Sequence, residues 1–93
     1  MDDLELINLA SKASGFEYTY NYNPLVSDAL ALRLAVKLQL GISIPPVVDG
    51  RIEVVTFYGP IISIVEYPQN DDRDAATRRA IVRAAAEVGK EMK

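Results

Sequence analysis

The stretch ISIPPVVDGRIEVVTFYGPIISIVEY, residues 42 to 67, decides the fold, because it contains three apolar runs separated by two turn signals. Asp49-Gly50 between two apolar runs is the strongest short signal for a hairpin. Gly59-Pro60 marks a second turn, so we expect a three-stranded antiparallel meander. The two prolines of the first run cannot donate backbone hydrogen bonds, which places that strand at an edge of the sheet or breaks it.

Three helices are expected around this meander. The stretch DDLELINLASKASG has capping-box spacing at Asp2 and a stop at Gly15, which predicts a helix over about residues 3 to 14. The stretch SDALALRLAVKLQLG, residues 27 to 41, has Ser27 or Asp28 as its cap and is apolar around most of its surface. We therefore expect it to be the buried, central helix, ending at Gly41. A third helix is expected from about Asp74 onward.

The stretch FEYTYNYN, residues 16 to 23, alternates aromatic and polar residues and predicts a further strand. Its aromatic residues are Phe16, Tyr18, Tyr20 and Tyr22. A stacking surface for a ligand would have basic residues between the rings, as in proteins that bind single-stranded nucleic acid. The intervening residues here are acidic or neutral, so we expect the rings to form core, with the stacking surface as the alternative.

The predicted order of elements is α-β-α-β-β-β-α. This order is typical of an α+β fold in which helices pack on a mainly antiparallel sheet. At 93 residues the chain is short enough for a single domain over residues 1–93. Its apolar fraction of 49% and charged fraction of 25% are those of globular proteins and argue against disorder of the whole chain.

The composition removes several classes of function. The sequence has no cysteine and no histidine, which excludes disulfides, thiolate zinc sites and imidazole bases. We therefore expect no enzyme, no cofactor and no metal. The acidic run at Asp71, Asp72 and Asp74 lacks the glycine and distal glutamate of a calcium loop, and helix capping explains it better. The acidic start and the lack of a long apolar run predict a cytoplasmic protein that does not enter the membrane.

The last predicted helix has a basic face that contains Arg79, Arg83 and Lys90, with Arg78 near its edge. Guanidinium groups on one face could bind the phosphates of a nucleic acid or of a small nucleotide. The other interpretation is a solvated face on which Glu87 pairs with Arg83 four residues away. In either case we expect replacement of Arg79 and Arg83 by glutamate to leave folding nearly intact, and to abolish phosphate binding if it occurs there.

The predicted hairpin between the last two strands also predicts an interface. With a two-residue loop at Gly59-Pro60, Val54 would face Val65 on one side of the sheet, and Glu53 would face Glu66 on the other. The second side then carries an apolar patch made of Val55, Phe57, Ile62 and Ile64. A patch of this kind marks an interface, so we expect a homo-oligomer formed through it, with cover by a helix as the alternative.

Two stretches carry a resemblance, NPLVSDALALRLAVKL at residues 23 to 38 and AATRRAIVRAAAEVGKEM at residues 75 to 92. Together they resemble a family of small uncharacterised proteins of temperate bacteriophages and prophages, with an Asn-Pro-Leu turn before the first helix. The turn in that family is richer in acid and glycine than this one, which keeps only Asp28. The resemblance implies a phage accessory protein acting in a bacterial cell, and it brings no catalytic residue.

The function expected from the sequence is therefore that of a non-enzymatic phage or prophage accessory protein. It would act as a binding or protein-interaction module that self-associates and engages a host protein or a small-molecule ligand. The alternative is a nucleic-acid or small-nucleotide binder that uses Arg78, Arg79 and Arg83.

Overall fold

The protein is an α+β structure, and its described residues form three helices and a three-stranded antiparallel sheet. The computed structural model describes residues 2–15, 23–43, 51–57, 61–68 and 72–92. Its elements are α1 (Asp3–Ser14), α2 (Asp28–Lys37), β1 (Gly41–Ser43), β2 (Ile52–Thr56), β3 (Ile62–Glu66) and α3 (Arg73–Glu91). The predicted aromatic strand at 16–22 and the predicted turns at 49–50 and 59–60 lie outside the described residues.

Each helix begins at a side chain that caps it. The side chains of Asp2, Ser27 and Asp72 each accept a hydrogen bond from the backbone N–H three residues later, at 2.8, 3.3 and 3.0 Å. These bonds satisfy amide groups that have no partner within the first helical turn. The first two caps are those expected from the sequence. The third helix begins earlier than expected, because Asp72 and not Asp74 is its cap.

Helix α2 ends at Lys37, and the expected end at Gly41 is wrong. Gln39 takes the left-handed conformation with φ of 53°, and the Leu40 N–H donates to the Ala35 carbonyl at 2.9 Å. This 6→1 bond defines a Schellman motif, in which glycine usually occupies the left-handed position. Gly41 lies beyond this turn and begins β1.

The three strands follow the order β1-β2-β3, and both neighbouring pairs are antiparallel. Among the described strands, β1 therefore lies at an edge, which is one of the two outcomes expected from the prolines that follow it. The predicted pairing of β2 with β3 is wrong by one residue, because Val54 faces Ile64 and not Val65. Residues 61, 62, 64 and 65 are all apolar, so the sequence of β3 favours neither face.

The central helix is α3, not α2. Helix α3 contacts β2 and β3, and it also contacts α1 and α2. Its buried residues are Ala76, Ala80, Ile81, Val82, Ala84, Ala85, Ala86 and Gly89, which surround the helix and are mostly small. Helix α2 instead leaves Leu32 60% and Val36 69% exposed. The expectation that the leucine-rich helix would be central is therefore wrong.

Small residues let α1 and α3 pack closely. A Cβ atom placed on Gly89 would lie 2.9 Å from the carbonyl carbon of Leu9 and closer still to its oxygen. Ala10 and Ala86 are fully buried on the same two helices. The absence of a side chain at position 89 therefore sets how near the two helix backbones can come.

Candidate functional site

The side of the sheet turned away from α3 is the candidate site. On the helix-facing side, Ile52, Val54 and Thr56 of β2 are fully buried. The alternation of a strand then turns Glu53 and Val55 to the opposite side. We call this side the open face. Ile61 and Tyr67, just outside the two ends of β3, are assigned to it because side chains alternate along a strand and both lie an even number of residues from Ser63. The residues of the open face are Glu53, Val55, Phe57, Ile61, Ser63, Val65 and Tyr67.

The open face exposes three large apolar side chains. Phe57 is 61% exposed, Ile61 is 73% exposed and Tyr67 is 63% exposed. Val55 and Val65 are half-buried between them. Scattered apolar residues are normal on a protein surface, but Phe57 and Ile61, which flank the β2–β3 pair at the same end, place two large exposed side chains together on one sheet face, and exposed apolar patches mark interaction sites.

Phe57 lies across the sheet and over β1. A Cβ atom on Gly41 would come within 3.1 Å of the Phe57 Cε2 atom, so the ring rests on the bare backbone of Gly41. Gly41 is paired with Val55, which is on the same face. The ring therefore covers a glycine of β1 and extends the apolar surface from β2 onto β1.

The polar part of the open face is internally hydrogen-bonded. The Ser63 hydroxyl donates to the Glu53 carboxylate across the β2–β3 pair. The predicted opposition of Glu53 and Glu66 does not occur, because Glu66 pairs with Ile52 and lies on the helix-facing side. The open face therefore carries one carboxylate of its own strands, already held by a hydroxyl.

The predicted self-association patch does not form as one surface. Val55 and Phe57 lie on the open face, whereas Ile62 and Ile64 pair with Thr56 and Val54 on the side that packs against α3. Ile64 is only 7% exposed and belongs to the core. The one-residue change in register therefore removes Ile62 and Ile64 from the patch. Self-association itself stays a prediction.

Arg78, the first of the three predicted binding arginines, joins α3 to the segment before α2. Its Nη1 atom lies 2.6 Å from Asp28 Oδ1, and its Nε donates to the Leu25 carbonyl at 2.9 Å. Its side chain is only 18% exposed. The two stretches that carry the phage resemblance, residues 23–38 and 75–92, thus contact each other through this guanidinium.

The other two arginines pair with two further elements. Arg79 Nη1 lies 3.0 Å from Asp3 Oδ1 at the start of α1. Arg83 contacts the Glu66 carboxylate and donates to the β3 backbone at 3.3 Å. The predicted pair with Glu87 is wrong, since that carboxylate pairs with a lysine three residues later.

These contacts change what the three arginines are expected to do. Each guanidinium lies against a carboxylate on a different neighbouring element, so each connects α3 to another part of the fold. Glutamate at positions 79 and 83 would place like charges against Asp3 and Glu66, so the expectation that folding stays nearly intact is replaced by one of destabilisation. Phosphate binding at Arg78, Arg79 and Arg83 stays a prediction that these contacts do not favour.

Two further features bear on the class of function. In the part of the chain that the structure describes, no three acidic side chains come together as a metal site. Asp71 lies outside that part, and Asp72 is used as a helix cap. None of the described helices combines the length and the apolar content needed to cross a membrane.

In comparisons with known proteins, the chain matches no family model, no curated protein and no solved structure.

Proposed function

We propose that this chain is a non-enzymatic accessory protein of a phage or prophage, acting in the bacterial cytoplasm as a binding and protein-interaction module. The resemblance of residues 23–38 and 75–92 supports the origin. The lack of histidine and cysteine supports a role without catalysis. The open face of the sheet is the observation that carries the proposed interaction, and its first partner is a second copy of the chain.

A second copy fits the open face because the face has an apolar end and a charged end. Phe57, Val55 and Ile61 lie toward one end, and Glu53 and Arg51 lie toward the other. A two-fold axis near Phe57 would bring the apolar ends together and leave the charges at the two rims. Charges are depleted from the centres of interfaces and tolerated at their rims, so this arrangement suits an isologous dimer.

Burial of the exposed apolar side chains supplies the driving force. An aromatic side chain can bury about 150 to 250 Å². At about 25 cal/mol per Å² of apolar surface, Phe57 and Ile61 of both copies contribute a large part of the association free energy. Since little of this is electrostatic, association through the open face should persist at high salt.

Light scattering after size exclusion tests the proposal directly. The parent protein should have the mass of a dimer or larger assembly at micromolar concentration. Phe57→Lys should reduce the mass to that of a monomer while the circular dichroism spectrum is retained, because the side chain is 61% exposed. Val36→Lys is the matched control, since Val36 is 69% exposed on α2, away from the open face.

Two results would count against this function. A parent protein that is monomeric at high micromolar concentration removes the self-association. Equal dissociation by Val36→Lys would assign the interface to α2 instead. Recovery of the tagged protein from phage-infected cells, with Phe57→Lys and Val36→Lys in parallel, then identifies host proteins or small molecules whose capture depends on the open face.

A further inference from the structure

A cleft beside β1, on the side of the sheet that faces α3, has the features of a small-ligand site. It lies between the first turns of α2 and α3 and is bordered by β1, and it measures about 330 Å³. Its floor is apolar and is formed by Ala31, Leu32, Ile42 and Ile81. Ile42 pairs with Val54, so its side chain lies on the α3 side of the sheet and not on the open face. The cleft is therefore separate from the proposed self-association surface.

The rim of the cleft is polar and carries net negative charge. It contains Asp28, Asp74, Thr77 and Arg78. Arg78 is neutralised by its contact with Asp28, and the Thr77 hydroxyl donates its proton to the Arg73 carbonyl at 2.7 Å. Among the described residues, none donates to or forms an ion pair with the Asp74 carboxylate. The rim thus offers one exposed carboxylate, in the first turn of α3 and without a side-chain partner among the described residues, beside an apolar floor.

We propose that this cleft binds a primary ammonium group carried on an apolar body. The hydrocarbon part would lie on the floor between Leu32 and Ile42, and the ammonium would donate to Asp74 and to the lone pairs of Thr77. Charge-assisted hydrogen bonds of this kind are among the stronger polar contacts in proteins. The volume lies at the lower end of the range for small-molecule sites, of about 300 to 1,000 Å³, which suits one ring or a short alkyl chain.

The same charges exclude other ligand classes. A phosphate or carboxylate would meet the Asp74 carboxylate, and the Arg78 guanidinium on the rim already contacts Asp28, so anions are disfavoured. A neutral molecule of the same shape would gain the apolar contacts alone. Two sources could supply the ligand: a free arylalkylamine, or the lysine side chain of a partner protein.

Titration of the full chain, followed by backbone amide chemical shifts, tests the site. The probes are phenethylamine, its neutral analogue 2-phenylethanol, the anion 3-phenylpropionate, and Nα-acetyl-lysinamide as the protein-derived amine. Phenethylamine at neutral pH should give saturable shifts at the amides of Ala31, Ile42, Thr77 and Ile81. It should bind about tenfold more tightly than the alcohol, as one charge-assisted hydrogen bond implies, and the anion should not bind. The tighter of the two amines identifies the source.

Two pairs of variants measure separately how much the carboxylate and the apolar floor contribute to binding. Asp74→Asn keeps the size of the side chain and should weaken phenethylamine about tenfold. Glu91→Gln removes an exposed carboxylate at the far end of the same helix and should leave binding unchanged. Leu32→Ser removes part of the floor and should also weaken binding, whereas Val36→Ser, one turn further along α2, should not.

Three outcomes would overturn this assignment. Equal affinities for the alcohol and the amine would mean that the Asp74 carboxylate makes no favourable contact with the ammonium group. An unchanged affinity in Asp74→Asn would place the ammonium elsewhere. Shifts that fail to saturate at millimolar phenethylamine, or that spread over amides outside the cleft, would show nonspecific association. None of these results depends on whether the open face forms a dimer, because Phe57→Lys can be titrated in the same way.

Discussion

Replacement of Gly89 by alanine should destabilise the protein, although alanine is the better helix former. At an interior helical position, the change from glycine to alanine normally stabilises by about 1 kcal/mol. Here the added Cβ would lie 2.9 Å from the carbonyl carbon of Leu9, and closer to its oxygen, on the neighbouring helix. These are backbone atoms, so no change of rotamer relieves the contact, and α1 must move away from α3.

The magnitude follows from two opposing contributions. Insertion of a methyl group into a closely packed contact costs about 1 to 3 kcal/mol, and a contact with backbone belongs at the upper end of that range. Subtraction of the gain in helix propensity leaves a net loss of about 2 kcal/mol in the free energy of unfolding. For a domain of this size, the melting temperature should fall by about 8 to 16 °C.

Urea unfolding followed by far-ultraviolet circular dichroism measures this loss, at one protein concentration so that self-association contributes equally to each variant. Gly15→Ala is the matched control. Its φ of 75° disfavours alanine by about 1 to 2 kcal/mol, but among the described residues other than its chain neighbours none has an atom within 4 Å of the added Cβ. A Gly89→Ala protein that is more stable than the parent would refute the close approach of α1 and α3.

Three further predictions concern the sheet, the ion pairs and the end of α2. Ile64→Ala should lower the free energy of unfolding by about 2 to 4 kcal/mol and Ile61→Ala by less than about 1 kcal/mol, since only the first is core, and equal losses in urea unfolding would contradict the register. Arg83→Ala should cost about 1 to 2 kcal/mol and Arg79→Ala about 0.5 kcal/mol, because the carboxylate that Arg83 contacts is only 18% exposed and that of Arg79 is 63% exposed. The reverse order in the same assay would refute these pairings. Gln39→Gly should raise the melting temperature by relieving the left-handed conformation, by about 0.5 to 1 kcal/mol in stability, and a loss of stability would contradict the Schellman motif.

Features that depend on neighbours in the sequence were predictable. The caps at Asp2 and Ser27 and the stop at Gly15 involve hydrogen bonds within four residues, so the residues that make each contact stand side by side in the chain. The position of β1 at an edge of the sheet was likewise indicated by the prolines that follow it. The α+β class was predictable from the same local signals, because helical and strand periodicities alternate along the sequence.

The candidate sites were predictable only in part. Phe57 and Val55 were identified as surface residues of one sheet face, but their neighbours on β3 were assigned to the wrong side. In β3 both parities are apolar, so periodicity could not select between Ile62 with Ile64 and Ile61 with Val65. The choice is made by burial of one face of the sheet against α3, a contact that the strand sequence does not contain.

What the sequence determined by itself is local: the three described helices, the strands β2 and β3, the caps at Asp2 and Ser27, and the stop at Gly15. What only the tertiary structure decided is non-local. The partners of Arg83, Arg78 and Arg79 lie 17, 50 and 76 residues away along the chain. The alanine-rich α3 became the centre because small side chains allow close approach on all sides, whereas the leucine-rich α2 left part of its apolar surface exposed. Close packing depends on the shapes of facing surfaces, and no single segment of sequence specifies the surface that it will face.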